Sequence, residues 1–183
     1  MKKLIGCICI SLLFASCSVA LFDKAPGVDI KEFPASLQGD YYLKMSTGLF
    51  KKKTDRDTMF LTIKTSSYAI KDSLEVERKS LDKDNKITLV KGVYYVLAQR
   101  DEEYPTYWRY AFLVPTKKGT KVYAVMSGQG NSTLNSYFKR ELLNVKDSTD
   151  STFVYKTNDD QLVKYYERVL KKGEALEVIR INK

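Results

Sequence analysis

The chain of 183 residues contains no histidine. That absence removes the Ser–His and Cys–His nucleophile pairs, His-ligated zinc and copper, and the usual proton shuttle near neutral pH. Catalysis would have to rest on carboxylates, lysine or tyrosine. No converging set of these is visible, so a non-enzymatic protein is expected, with no catalytic residue, no metal site and no cofactor. Cysteine is nearly as scarce. Cys7, Cys9 and Cys17 are the whole complement, so the chain beyond Cys17 has no partner thiols and packing alone must hold its fold. Long apolar runs are also missing. The longest, Leu4 to Phe14, is too short to cross a bilayer as an ordinary helix.

What stands at the N-terminus is a basic pair, Lys2 and Lys3, then that apolar run, then Ala15, Ser16 and Cys17. A positive n-region, a short h-region and small residues before a cut form an export signal. Phe14-Ala15-Ser16-Cys17 resembles the lipobox of bacterial lipoproteins, with Phe14 where Leu is commonest. The resemblance implies cleavage before Cys17, a diacylglyceryl thioether on its sulfur and an acyl chain on the new amino group. Two or three chains anchor stably where one, at about 0.8 kcal/mol per buried CH₂, does not. Ser18, in place of the Asp that retains such proteins at the inner membrane in enteric bacteria, implies the outer membrane. Cys7 and Cys9 leave with the signal.

The expected organisation is therefore a signal over residues 1–16, a lipidated N-terminus and tether over 17–36, and a single domain over 37–183. Pro26-Gly27 and Pro34 with no sustained period mark the tether, whose Val19, Leu21 and Phe22 lie close to the lipid. At 29% charged and 44% hydrophobic, the chain is globular in composition. Its net charge of +9 would suggest nucleic acid elsewhere. In an envelope the partners expected are anionic head groups or acidic polymers, a lipid or small apolar ligand, or another envelope protein.

Alternation of period two marks strands over Leu37–Met45, Thr58–Thr65 with Tyr68–Lys71 as a continuation, and Leu74–Glu77. Ile87–Gln99 is the longest strand signal, apolar on both faces towards its end. Tyr107–Val114 and Val122–Met126 follow as a hairpin around Lys117-Lys118-Gly119. Helical spacing through Leu134, Tyr137, Phe138, Glu141 and Leu142 competes with a strand through Leu142–Val145. Asp159–Lys172 is the best helix, capped by Asn158 or Asp159, and Leu176–Ile181 is a last strand. The fold class predicted is mainly β, an antiparallel barrel or sandwich with one C-terminal helix, or α+β with a second short helix near 133–143. Gly39-Asp40-Tyr41-Tyr42 at the first strand resembles the Gly-x-Trp opening of lipocalin-like barrels, with Tyr41 in place of Trp.

Candidate site residues are few. Thirteen tyrosines and one tryptophan make Tyr41, Tyr94, Tyr95, Trp108 and Tyr110 candidates for lining a pocket, or for filling a core. Lys51, Lys52, Lys53 and Arg56 are candidates for contact with an anionic surface, or simply a solvated loop. The Gly-rich run Ser127–Ser132 lacks the Gly-Lys-Ser/Thr end of a phosphate loop and reads as a turn. Asp101, Glu102 and Glu103 are adjacent carboxylates that do not converge in an extended chain and read as a hairpin tip.

Overall fold

The computed structural model describes residues 20–43, 59–71, 76–117, 119–125, 131–143, 152–171 and 176–181. The segment read as a signal, Cys17, the candidate residues Lys51, Lys52, Lys53 and Arg56, and residues 127–130 lie outside them. In chain order the elements are β1 (Leu21–Phe22), β2 (Val28–Ile30), β3 (Gly39–Leu43), β4 (Met59–Ile63), β5 (Ser67–Lys71), β6 (Val76–Ser80), β7 (Asn85–Val90) and β8 (Tyr94–Arg100). There follow β9 (Trp108–Thr116), β10 (Gly119–Ala124), α1 (Asn131–Tyr137), β11 (Arg140–Leu143), β12 (Thr152–Tyr155), α2 (Asp159–Lys171) and β13 (Leu176–Arg180).

The protein is mainly β. Ten strands form one curled antiparallel sheet in the order β2-β7-β8-β9-β10-β13-β3-β4-β5-β6. A smaller sheet forks from β9. One edge of β9 pairs β8 from Trp108↔Arg100 to Leu113↔Tyr95. The other edge is shared, with β10 taking Ala111 to Thr116 and β1 taking Trp108. From β1 the smaller sheet continues through β12, which is the one parallel pairing among the described strands, to β11.

Because side chains alternate across a strand, the central strands bury both faces. Tyr110 and Phe112 of β9, with Val96 and Ala98 of β8, face one core, together with Phe22, Leu134, Phe138, Tyr155, Leu162, Tyr165, Tyr166 and Val169. Ala111 and Leu113 face a second core inside the curl, against Tyr41, Ile63, Tyr68, Ile70, Ile87 and Val122, with Phe33 and Leu37. β9 is thus the wall between the helix side and the interior of the curl.

α2 forms where the sequence places it. The Asn158 Oδ1 accepts the Gln161 N–H at 3.1 Å, Asp159 and Asp160 occupy the positive first turn, and Lys91 Nζ sits 2.8 Å from Asp160. Leu162, Tyr165, Tyr166 and Val169 form the buried stripe. Each contributes about 1.5–3 kcal/mol of apolar burial. Phe112 stacks on Tyr166 with centroids 4.0 Å apart and Tyr94 meets it edge-on at 5.1 Å.

Two expectations are corrected. The chain from Ala20 onward is part of the fold, not tether: Ala20, Leu21, Phe22, Phe33 and Leu37 are all buried, and Leu21 and Phe22 therefore cannot rest on a bilayer. The Ile87–Gln99 segment is two strands, not one. Val93 N–H bonds to Val90 O at 3.1 Å around Lys91 (φ 52°) and Gly92 (φ 70°), the two positive φ values of a type I′ hairpin turn. A third expectation is divided. The 134–142 segment is a helix ending at Tyr137 and then a strand, β11, so the two rival readings each hold for part of it.

Candidate functional site

The five aromatic residues proposed to line a pocket are not brought together. Tyr94, Trp108 and Tyr110 lie on the helix side of the sheet, whereas Tyr41 and Tyr95 lie on the side of the curled interior. On the helix side the rings are packing and tethering groups. Tyr110 stacks on Phe22 at 4.1 Å, donates its hydroxyl to Lys24 O, and shares a 2.8 Å hydrogen bond with Thr157 Oγ1. Burial pushes its phenol far above the usual range, and Asp23 and Asp159 add to this against the Thr157 bond. Trp108 is covered by the Arg100 guanidinium, 4.4 Å from the ring centroid, with Lys86 at 5.7 Å. Tyr94 donates to Glu167 at 3.2 Å.

Asp101, Glu102 and Glu103 form a hairpin tip, and the buried Asp101 organises it. Its Oδ1 accepts the N–H groups of Glu103 (2.9 Å) and Tyr104 (2.7 Å), and its Oδ2 pairs with Arg109 Nε. Its carboxylate is occupied by structure. Glu102 turns away to Lys79 at 3.3 Å.

On the helix side Tyr166 Oη is buried without a hydrogen-bond partner, and the interior of the curl holds two such hydroxyls. The turn over 33–38 packs Phe33 and Leu37 into that interior. Phe33 N–H bonds to Thr65 O at 2.7 Å, Gln38 Nε2 to Phe33 O at 2.7 Å, and the Tyr41 hydroxyl to Leu37 O at 2.6 Å. Ile63, Ile70, Ile87, Leu113 and Val122 make the walls apolar. Two hydroxyls without a hydrogen-bond partner, Tyr68 Oη and Thr120 Oγ1, are buried with them. Tyr68 belongs to this core, and Thr120 shares the inward face of β10 with Val122, two residues on. Tyr68 is 4% exposed and Thr120 1%. Phe33 meets the Tyr68 ring edge-on at 6.2 Å. Burial first, then the charges of Glu77 and Asp82, push the Tyr68 phenol well above the tyrosine range, so it is a neutral donor at any physiological pH.

An unsatisfied buried hydroxyl costs about 1–3 kcal/mol. Two of them, Tyr68 Oη and Thr120 Oγ1, stand on this one otherwise apolar interior. Of the residues proposed from sequence, Tyr41 and Tyr95 belong to this interior, and the Tyr41 hydroxyl is already engaged. Tyr68 and Thr120 are not singled out by the sequence. Their inward parity is readable from the alternation, but the emptiness of their hydrogen bonding is a property of three-dimensional packing. Among the described residues no group of three or more acidic or sulfur ligands is placed to hold a metal ion. Comparison with protein-family models, curated proteins and solved structures found no match for this chain.

Proposed function

We propose that this protein is a bacterial envelope lipoprotein, anchored through Cys17 to the outer membrane, and that it acts as a non-enzymatic binding module. Its ligand is a lipid or small apolar molecule carrying a hydrogen-bonding group, held in the interior of the curled sheet. The observation that carries the reading is the pair of unpartnered hydroxyls, Tyr68 Oη and Thr120 Oγ1, on an interior otherwise built from Ile, Leu and Val. Site geometry of this kind, apolar walls with a few polar points, suits small ligands. The pattern at Gly39-Asp40-Tyr41, likened above to the opening of lipocalin-like barrels, agrees with it: Tyr41 is buried in the core inside the curl.

The experiment is native mass spectrometry of protein extracted from its own membrane. A co-purifying small molecule is expected in wild type and is expected to be lost from a Tyr68→Phe/Thr120→Val double variant that still folds. Bare protein accompanied by a stoichiometric protein partner would overturn the reading in favour of a second one, an adaptor docking on another envelope protein. That second reading draws on β6, which ends the curled sheet without a further strand among the described residues and begins at Val76, 46% exposed. Such an edge can accept a partner strand.

A further inference from the structure

The fold begins closer to the proposed anchor than a tethered domain would. Ala20 is fully buried, and its N–H bonds to Val125 O. Only Ser18 and Val19 separate it from Cys17. Three residue steps reach at most about 10 Å when fully extended, and part of that reach is used in leaving the buried position of Ala20. A lipid-anchored Cys17 therefore leaves no room between the domain and the bilayer.

Which surface meets the bilayer follows from register. Leu21 lies beside Val154 in β12, and Val154 beside Glu141 in β11. One step back along β1, Ala20 is level with Phe153, whose partner in β11 is Leu142. Two strand spacings of about 4.8 Å put Leu142 about as far from Ala20 as the chain to Cys17 can reach. Leu142 is 56% exposed, one of the few large apolar side chains that are. Beside it the Arg140 guanidinium lies over the Phe153 ring at 4.3 Å, and Lys139 and Arg140 are exposed. An apolar side chain flanked by an aromatic ring and cations suits the boundary between acyl chains and anionic head groups.

We propose that β11, the outer edge of the smaller sheet, lies against the same bilayer that holds the anchor, with Leu142 entering its interface and Arg140 at the head groups. This rests on the acylation of Cys17 proposed above. The domain then sits flush on the membrane in one orientation.

The test uses the full chain, processed in a lipoprotein-producing host and reconstituted into phosphatidylethanolamine/phosphatidylglycerol vesicles containing a head-group nitroxide lipid. With Cys7 and Cys9 removed and Cys17 blocked by its thioether, Leu142→Cys, Val93→Cys and Val76→Cys each give a single reactive thiol for a fluorophore. Val76 of β6 and Val93 of the β7–β8 turn are exposed. Quenching several-fold greater at position 142 than at 93 or 76 is expected. Equal quenching at all three in acylated protein that floats with the vesicles would overturn the orientation alone. Protein that fails to float and has the mass of an unmodified chain would overturn the anchor, and the orientation with it.

Discussion

Tyr68→Phe removes one oxygen atom from the interior of the curl and leaves everything else nearly in place. The ring keeps its edge-on contact with Phe33 at 6.2 Å, and no hydrogen bond is lost, because Tyr68 Oη has none. In protein stripped of ligand by unfolding and refolding, the variant should therefore be more stable than wild type, by the roughly 1–3 kcal/mol that an unsatisfied buried hydroxyl costs. At about 2–4 °C per kcal/mol for a chain of this size, the melting temperature should rise by roughly 2–12 °C. Tyr41→Phe is the matched control. The same atom is deleted, but the Tyr41 hydroxyl donates to Leu37 O at 2.6 Å in a buried site, so stability should fall by about 1–2 kcal/mol. Thermal melts followed by circular dichroism decide the signs. A fall in melting temperature for Tyr68→Phe in stripped protein would refute the reasoning, since the hydroxyl would then have a partner without any ligand. In ligand-loaded protein the sign for Tyr68→Phe should reverse.

Gly27→Ala should cost about 2 kcal/mol or more, read as a shift in urea midpoint at constant slope. Gly27 has φ +64°, and an added Cβ would lie 2.6 Å from Leu89 O, a backbone atom that cannot move aside. Asp101→Asn should cost about 1–3 kcal/mol, because Arg109 loses its charge partner and its partial exposure softens the loss. The same urea titration measures it, and an unchanged midpoint would show that the hairpin tip holds without the ion pair. Between neutral pH and about pH 10 stability should be flat, and above that it should fall. Tyr68, Tyr110 and Tyr166 all have phenols raised in the folded state, in each case chiefly by burial. The unfolded chain then loses those protons first, and three such groups give a slope approaching about 4 kcal/mol per pH unit. Ionisation of all thirteen tyrosines before the unfolding transition, with no phenolate amplitude left to appear with it, would contradict this.

The elements legible in the sequence are those whose signal is local. The α2 cap is spelled by Asn158-Asp159-Asp160, and the turn after β6 by Asp82, whose Oδ1 accepts the N–H groups of Asp84 and Asn85 at 2.8 Å each. The β9–β10 hairpin follows from alternation and a glycine. The Lys91-Gly92 turn is hidden because the residues around it are apolar on both faces, so the break stands inside one continuous apolar signal. The same double burial explains why the aromatic residues do not resolve into one site. On a strand buried on both faces, alternation says that Tyr94 and Tyr95 point opposite ways but not which core each enters. That depends on the pairing of β13 with β3 and the docking of α2, both remote in sequence.

The segment 20–36 shows how misleading a local reading of composition can be. Two prolines, a glycine and no sustained period describe a tether, yet the structure uses it as a strap across both cores. Phe22 stacks on Tyr110, Asp23 Oδ1 accepts the Thr157 N–H at 2.7 Å, and Gly27 N–H bonds to Asp159 Oδ1 at 3.2 Å. β2 then pairs with β7, and Phe33 packs edge-on against Tyr68 in the core inside the curl. Deleting a tether would leave the domain stable. Deleting 20–36 removes Phe22 and Phe33, whose burial is worth about 1.5–3 kcal/mol each, takes the Lys24 acceptor from the Tyr110 hydroxyl, and orphans the Thr157 amide and one edge of β7. That is a large share of the roughly 5–15 kcal/mol typical of a domain, so the truncated chain should fail to fold cooperatively. A shortened protein starting at Leu37 that gave a sharp wild-type-like melt would return the strap to the status of a linker. It would also free the domain from the membrane-flush placement, because the chain between anchor and fold would then be long enough to swing.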